Sequence, residues 1–298
     1  MCWKRMMTVG VLTLTPWLSQ AADDPFPIEE KNNVLKYAKD ILPVTKVAIS
    51  GLNVKLGVHL ERLTLLSGEG HTDSKVTSGL LAGAFTLMGA GSGVDFASRE
   101  PVEDHLSADM AKAIAADIAT AVVGAVQQNK LELVPPDTVT SAPFYGKVKG
   151  EVALTTDTEN VKGGLFKPDY YFGYQQVPVL GYKYRSPGMF DISDSEVSPK
   201  VRELAGVPVT LAWSVKVVND RKTMRVIELS LKCLGKGQGF GNGDQPLLWL
   251  SMKPDALSVP SGESHKNLEY WSALSPKFAM AVNSMMQKAV AELSKTAN

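Results

Sequence analysis

The sequence predicts an α/β (α+β) fold: a mixed sheet with an antiparallel hairpin, covered by helices. Three observations carry that expectation. In residues 207–234, Val207, Val209, Leu211, Trp213, Val215 and Val217 alternate with small or polar residues, the period of a strand with one buried face. Asn219-Asp220-Arg221-Lys222 supplies a turn, and Ile227, Leu229 and Leu231 resume on one parity, so the stretch reads as a hairpin. A second alternating run, Leu52, Val54, Leu56, Val58 and Leu60, predicts another strand. A helical stripe of Leu106, Met110, Ile114, Ile118, Ala121, Val122 and Ala125 supplies a long covering helix.

At 298 residues, with 44% hydrophobic and 21% charged side chains, the chain can bury a sizeable core and is not of disordered composition. Thirty-one basic residues balance thirty-one acidic ones, so nucleic-acid binding has no electrostatic support.

Taken in order, the chain opens with Lys4 and Arg5, an uncharged apolar run over residues 6–18, and Ser19-Gln20-Ala21. This is the pattern of a secretory signal peptide over residues 1–21, with cleavage before Ala22. No cysteine follows the apolar run, which argues against a lipid-anchored product, and the expected location is periplasmic or secreted. Residues 22–298 are expected to form a single α/β domain. Leu35, Ala38 and Leu42 predict a helix over 31–42, stopped by Pro43. The phase of Val47 and Ile49 differs from that of Leu52 onward, which predicts a β-bulge near Ser50-Gly51. His59 falls on the polar parity of this strand and reads as a solvated histidine.

Residues 67–103 read as a glycine-rich insertion. Within it, residues 76–94 carry no charge, and Gly79/Gly83 and Gly89/Gly93 stand at small-xxx-small spacing. Gly79, Leu80, Gly83, Phe85, Leu87, Gly89 and Gly93 are therefore candidates for membrane or oligomer contact. The alternative is a loop or a packed segment, because five glycines each weaken a helix by about 1 kcal/mol.

Asp104 or Ser107 can cap the following helix, which extends to about Gln128. A short strand over 131–134 is halted by Pro135-Pro136, and a brief helix over 137–147 is interrupted at Pro143. Residues 155–164 read as a polar loop. Residues 169–184 read as strand broken at Pro178 and Gly181, and they hold Tyr170, Tyr171, Tyr174, Tyr182 and Tyr184, five of the eight tyrosines. These offer an interaction surface, since tyrosine joins a rigid ring to a polar tip, or else they pack within the sheet. Ser198-Pro199 and Ser275-Pro276 each predict a helix start, cap plus first-turn proline. The first of these helices ends at Gly206; the second presents Phe278, Val282, Met285, Met286, Ala289 and Leu293 on one face. Asp191, Asp194 and Glu196 would favour the N-terminus of the helix beginning at Ser198. Between them lies GKGQGFGNG, a loop, then a strand over 246–250.

No motif here specifies catalysis. The four histidines, His59, His71, His105 and His265, show no metal-ligand spacing, and the GKGQGFGNG glycines miss the dinucleotide register. No G-x-S-x-G elbow occurs. Beyond Cys2, the one cysteine is Cys233, at an inward parity, expected to be a buried thiol. No catalytic residue, cofactor or metal is expected, and an enzyme, such as a hydrolase assembled by folding, is the least favoured reading.

The order of elements resembles a known family. The strand KVAISGLNVKLG, a long helix, the short strand LELVPP, a strand beginning KPDYYFGYQ, the hairpin TLAWSVKVVNDRKTMRVIELSL and the helix SPKFAMAVNSMMQKAVAEL follow in that sequence. This resembles the curli secretion channel (CsgG-like) family and the related TolB-type N-terminal domain over residues 45–295. The matching positions are Pro168-Asp169-Tyr170, Val217-Val218-Asn219 and Ser275-Pro276. The resemblance implies a periplasmic α/β module that oligomerises or docks within an envelope assembly. The sequence departs from the family in lacking the lipoprotein cysteine and in replacing the hairpin glycine around Met224. Residues 67–103, where a membrane-inserting element would sit, lack the alternation of transmembrane strands, so no pore residue carries over. The expected function is that of an exported, non-enzymatic component of a cell-envelope assembly or secretion system, with envelope proteins or further copies of itself as partners. A periplasmic module for a small ligand or glycan is the alternative.

Overall fold

The predicted hairpin is the middle of the sheet. In the computed structural model, which describes residues 26–35, 41–60, 106–161, 170–185, 192–219, 223–237, 243–261 and 269–295, strands β6 (Val209–Asn219) and β7 (Thr223–Gly235) pair antiparallel. Around them stand β1 (Ile28–Asn33), β2 (Lys46–Leu60), β3 (Glu132–Leu133), β4 (Thr155–Val161), β5 (Tyr170–Val177), β8 (Gln245–Met252) and β9 (Leu257–Pro260). The strand order is β1-β8-β7-β6-β2-β5-β4, with β3 beside β2 and β9 beside β7. β2 runs parallel to β6 and β3, and the other pairs are antiparallel, so the sheet is mixed as expected.

Two long helices, α1 (Ala108–Gln128) and α5 (Glu269–Leu293), pack together on one face. α1 starts where Ser107 Oγ accepts the Met110 amide, the capping predicted for that residue. Its apolar stripe buries Ile114, Ile118 and Val122, and α5 buries Phe278, Val282, Met285, Met286, Ala289 and Leu293. These meet the odd-numbered residues of β6, Leu211, Trp213, Val215 and Val217, in one core. Each large apolar side chain so buried contributes about 1.5–3 kcal/mol. Polar pins fix the helix pair: Trp271 Nε1 donates to Asp117 at 2.9 Å, and Asn129 Nδ2 donates to Asn283 at 2.8 Å.

The other face carries α4 (Ile192–Ala205), which lies over β2, β6 and β7, while short α2 (Pro136–Thr140) and α3 (Pro143–Gly146) follow the Pro135-Pro136 stop. Gly206, at φ +61°, ends α4 in the left-handed region and turns the chain into β6. The expected bulge is present: the β2–β6 register shifts between Ile49 and Gly51.

Four expectations are corrected. Residues 31–33 are strand, not the start of a helix, because β1 completes the edge of β8; Asn32 Nδ2 and the Val34 amide both bond β8 carbonyls. Pairing with a distant strand overrides weak local propensity there. Residues 155–161 are the edge strand β4 rather than loop, for the same reason: they complete the hydrogen bonding of β5. Ser198-Pro199 and Ser275-Pro276 lie inside helices rather than at their starts. A proline costs about 3 kcal/mol in a helix interior. The turn ahead of each proline is anchored, by buried Asp194 and Val197 in α4 and by buried Trp271 and Leu274 in α5. The signal-peptide residues 1–21 and the insertion 67–103, including Gly79, Leu80, Gly83, Phe85, Leu87, Gly89 and Gly93, lie outside the described residues. No described helix is long and apolar enough to cross a membrane.

Candidate functional site

β2 has an incomplete flank. On one side it pairs β6 along nearly its whole length; on the other it meets β3 only at Lys46 and Val47, then β5 only from Val54. Between them, among the described residues, no strand lies beside the carbonyls of Ile49 and Ser50, and an unpaired buried carbonyl is costly. The segment after β5 fills this gap with side chains. Tyr182 donates its hydroxyl to Ile49 O at 2.9 Å, and Arg185 Nη2 donates to Ser50 O at 2.8 Å. The Arg185 amide in turn donates to Asn53 Oδ1 at 2.9 Å. The reversal that delivers these groups is Leu180-Gly181, both at positive φ, closing the Val179–Tyr182 bridge.

The Arg185 guanidinium reaches the gap because residue 51 is glycine; a Cβ there would overlap Nη2. Its charge is answered by Asp194 Oδ1 at 2.8 Å, from the first turn of α4, in a pair whose side chains are 2% and 9% exposed. Burial pushes the Asp194 carboxyl above the usual range, and the adjacent guanidinium pulls it back. Asp194 thus stands in the first turn of α4, as an acidic residue near the helix start, and at the same time faces the β2 gap as an ion-pair partner; Asp191 is outside the described residues.

A second buried polar cluster ties α4 to β6 and to the start of β8. Ser198 Oγ donates to Asp244 Oδ2 at 2.6 Å and lies 2.6 Å from Thr210 Oγ1, which must then donate to it. Arg202 clamps both oxygens of Asp244 at 2.9 and 3.1 Å. Ser198 and Asp244 are both buried, so a substrate has no approach to this serine, and the cluster is a fastening.

Three of the five tyrosines, Tyr174, Tyr182 and Tyr184, are buried rather than exposed. Tyr174 is 0% exposed: its ring lies on Gly57, with the Lys55 and Lys216 ammonium groups 4.4 and 4.3 Å from its centroid. Tyr182 packs edge-on to Tyr145 with centroids 6.1 Å apart, and Tyr184 is buried where its backbone bridges Glu151. The physical reason is that a ring over a strand glycine, or under a ladder gap, fills space no other side chain occupies. Tyr170 and Tyr171 lie in β5, Tyr170 opposite Val161 of β4 and Tyr171 opposite Asn160 of β4 and Leu60 of β2.

Beyond α4, the second face of the sheet is polar and partly open to solvent. Cross-strand register places Lys55, Lys216 and Glu228 in one row and Asn53, Ser214, Ser230 and Ser251 in the next. A further row brings Lys232 beside Trp249, with the ammonium 4.7 Å from the ring centroid. Burial holds the Lys232 ammonium below the usual lysine range. Trp249 keeps 36% of its surface exposed, unusual for the largest apolar side chain. Among the described residues no group of three or more His, Cys, Asp or Glu could hold a metal ion. Sequence reasoning did not single out Arg185, Asn53, Lys216 or Trp249 for any role. The one sequence signal for the gap was the phase change at Ser50-Gly51, within an otherwise regular alternation.

No family model matches the chain, and no curated protein or solved structure shows significant similarity to it.

Proposed function

We propose that this chain is an exported, non-enzymatic component of a cell-envelope assembly or secretion system, working through protein–protein contacts made by the polar face of its sheet. The observation that carries the proposal is that face: three strands wide in its serine row, mixed in charge, and bearing toward its β8 side a tryptophan that is 36% exposed. A broad surface with an aromatic anchor suits a protein partner better than a small substrate. The partners are envelope proteins or further copies of the chain. The signal-peptide pattern of residues 1–21 and the resemblance to the curli secretion channel and TolB-type modules supply the compartment and the kind of assembly.

The test is assembly state and capture. The mature chain, run by light scattering and used as bait in envelope extracts, is expected to oligomerise or to retain an envelope protein, and Trp249→Glu should weaken either. A monomer that captures nothing, or a complex indifferent to Trp249→Glu in a variant of unchanged melting temperature, overturns the proposal.

A further inference from the structure

The polar sheet face has a relief that its cross-strand register defines. Along β7, residues 228, 230 and 232 share this face, and each has partners across the sheet. Glu228 stands opposite Lys216, Ser230 between Ser214 and Ser251, and Lys232 opposite Trp249. Residues on one face recur about every 6.7 Å along a strand, so the two outer rows lie about 13 Å apart with the serines between them. Serine is short, whereas lysine, glutamate and tryptophan are long. A trench therefore crosses β6, β7 and β8, with long side chains for walls and hydroxyls for a floor; Ser230, at its middle, is buried. Its β2 end is closed by Asn53, whose Oδ1 already accepts the Arg185 amide.

The walls carry more positive than negative charge. Lys216, with Lys55 beside it on β2, stands on one side and Lys232 on the other, against the single carboxylate of Glu228. All three ammonium groups rest on aromatic rings, Lys55 and Lys216 on Tyr174 and Lys232 on Trp249. Side chains held in this way have already given up rotamer freedom that binding would otherwise remove. Burial also holds the Lys232 ammonium below the usual lysine range, so a carboxylate beside it would return stabilisation that water no longer supplies. At the β1 end, Glu29 lies opposite Ser251 but is ion-paired with Lys31 and Lys253.

Resting on the reading of this face as a protein interface, we infer that the partner segment seated in the trench is acidic: its carboxylates lie on Lys216 and Lys232, and an apolar residue between them packs against the exposed part of Trp249. Charge complementarity of this kind selects the partner and sets its register more than it adds raw affinity.

The experiment titrates the full mature chain by calorimetry with an acidic decapeptide of Glu and Ala around one central Leu, with its Gln-for-Glu counterpart, and with chitohexaose as a glycan probe. Saturable binding of the acidic peptide is expected below about 1 mM in dilute buffer, weakening several-fold at about 0.3 M salt as the charges are screened. The Gln peptide should bind at least about fivefold more weakly. Lys216→Met and Lys232→Met should each weaken the acidic peptide about threefold, with Arg at either position restoring it. Glu228→Gln changes an exposed side chain and should tighten binding about twofold at unchanged melting temperature. Absence of saturation up to about 10 mM overturns the inference, as does equal or tighter binding of the Gln peptide or of chitohexaose. Acidic-peptide binding unmoved by salt and by all three variants overturns it as well. Capture or self-association that Trp249→Glu abolishes, but that neither salt nor the lysine variants alter, removes the acidic partner and keeps the interface. A chain that stays monomeric and captures nothing removes the interface, and the inference with it.

Discussion

Gly51→Ala is the most informative single change. The added methyl group would occupy the position of Arg185 Nη2, and would also sit 3.3 Å from Asp194 Oδ1. The guanidinium cannot share that space, so it must leave Ser50 O and Asp194 together. Two costs follow. A buried carbonyl loses its donor, about 1–3 kcal/mol, and a buried ion pair is broken, about 3–5 kcal/mol when one charge is stranded. The two overlap, because Asp194 can take up a proton once its partner has gone, so the expected loss is about 3–4 kcal/mol in urea unfolding. A second arm isolates the cause. In a background where the pair is replaced by Arg185→Met and Asp194→Leu, Gly51→Ala should cost about 1 kcal/mol or less, since a thioether yields where a paired guanidinium does not. The full loss persisting in that apolar background would refute the account, as would a loss below about 1 kcal/mol in the native one.

Two further outcomes are expected. Asp244→Ala should destabilise by about 2–4 kcal/mol by stranding Ser198 and Arg202, and Arg202→Ala by clearly less, because Arg202 keeps a quarter of its side chain in water; equal losses in thermal unfolding would contradict this. Burial pushes the Cys233 thiol up to about 12, so the folded state holds its proton more tightly than the unfolded chain. Stability linked to this group is therefore complete below the ordinary thiol range, about 8.5, and falls by up to about 1.4 kcal/mol per pH unit from there toward 12. Cys233→Ala should flatten urea midpoints measured between about pH 8.5 and 10.5, and the native thiol should resist aromatic disulfide reagents until the protein unfolds.

How far the sequence could be read follows from the range over which each signal acts. β2, β6, α1 and the buried face of α5 announce themselves because burial on one side imposes a period on neighbouring residues. β1 and β4 do not, because an edge strand takes its conformation from a partner far along the chain; Glu29-Glu30-Lys31-Asn32 has no strand period of its own. The prolines of α4 and α5 misled for a related reason. A local rule places proline at a helix start, whereas buried side chains N-terminal to it extend the helix backward. The tyrosine cluster was visible, the burial of Tyr174 and Tyr182 was not: the groups against them, Lys55, Lys216 and Tyr145, come from β2, β6 and α3. Arg185 carried no pattern at all. Its role exists only because β3 and β5 leave a space between them.

The strand order also dictates a timetable. Ile28 pairs with Met252, and Val47 with Val209, so the first and the central strands both await partners made long after them. Contacts of such sequence separation place folding at the slow end for domains of this kind, milliseconds to seconds or longer. A chain emerging residue by residue would therefore stay open until β6 to β8 have been synthesised. That delay leaves alternating strands such as β2 exposed meanwhile, and under the proposed export it would keep the chain open for threading across a membrane. Truncation anywhere before β8 would strand β1 with no neighbour, leaving the N-terminal segment as the first point of proteolytic attack.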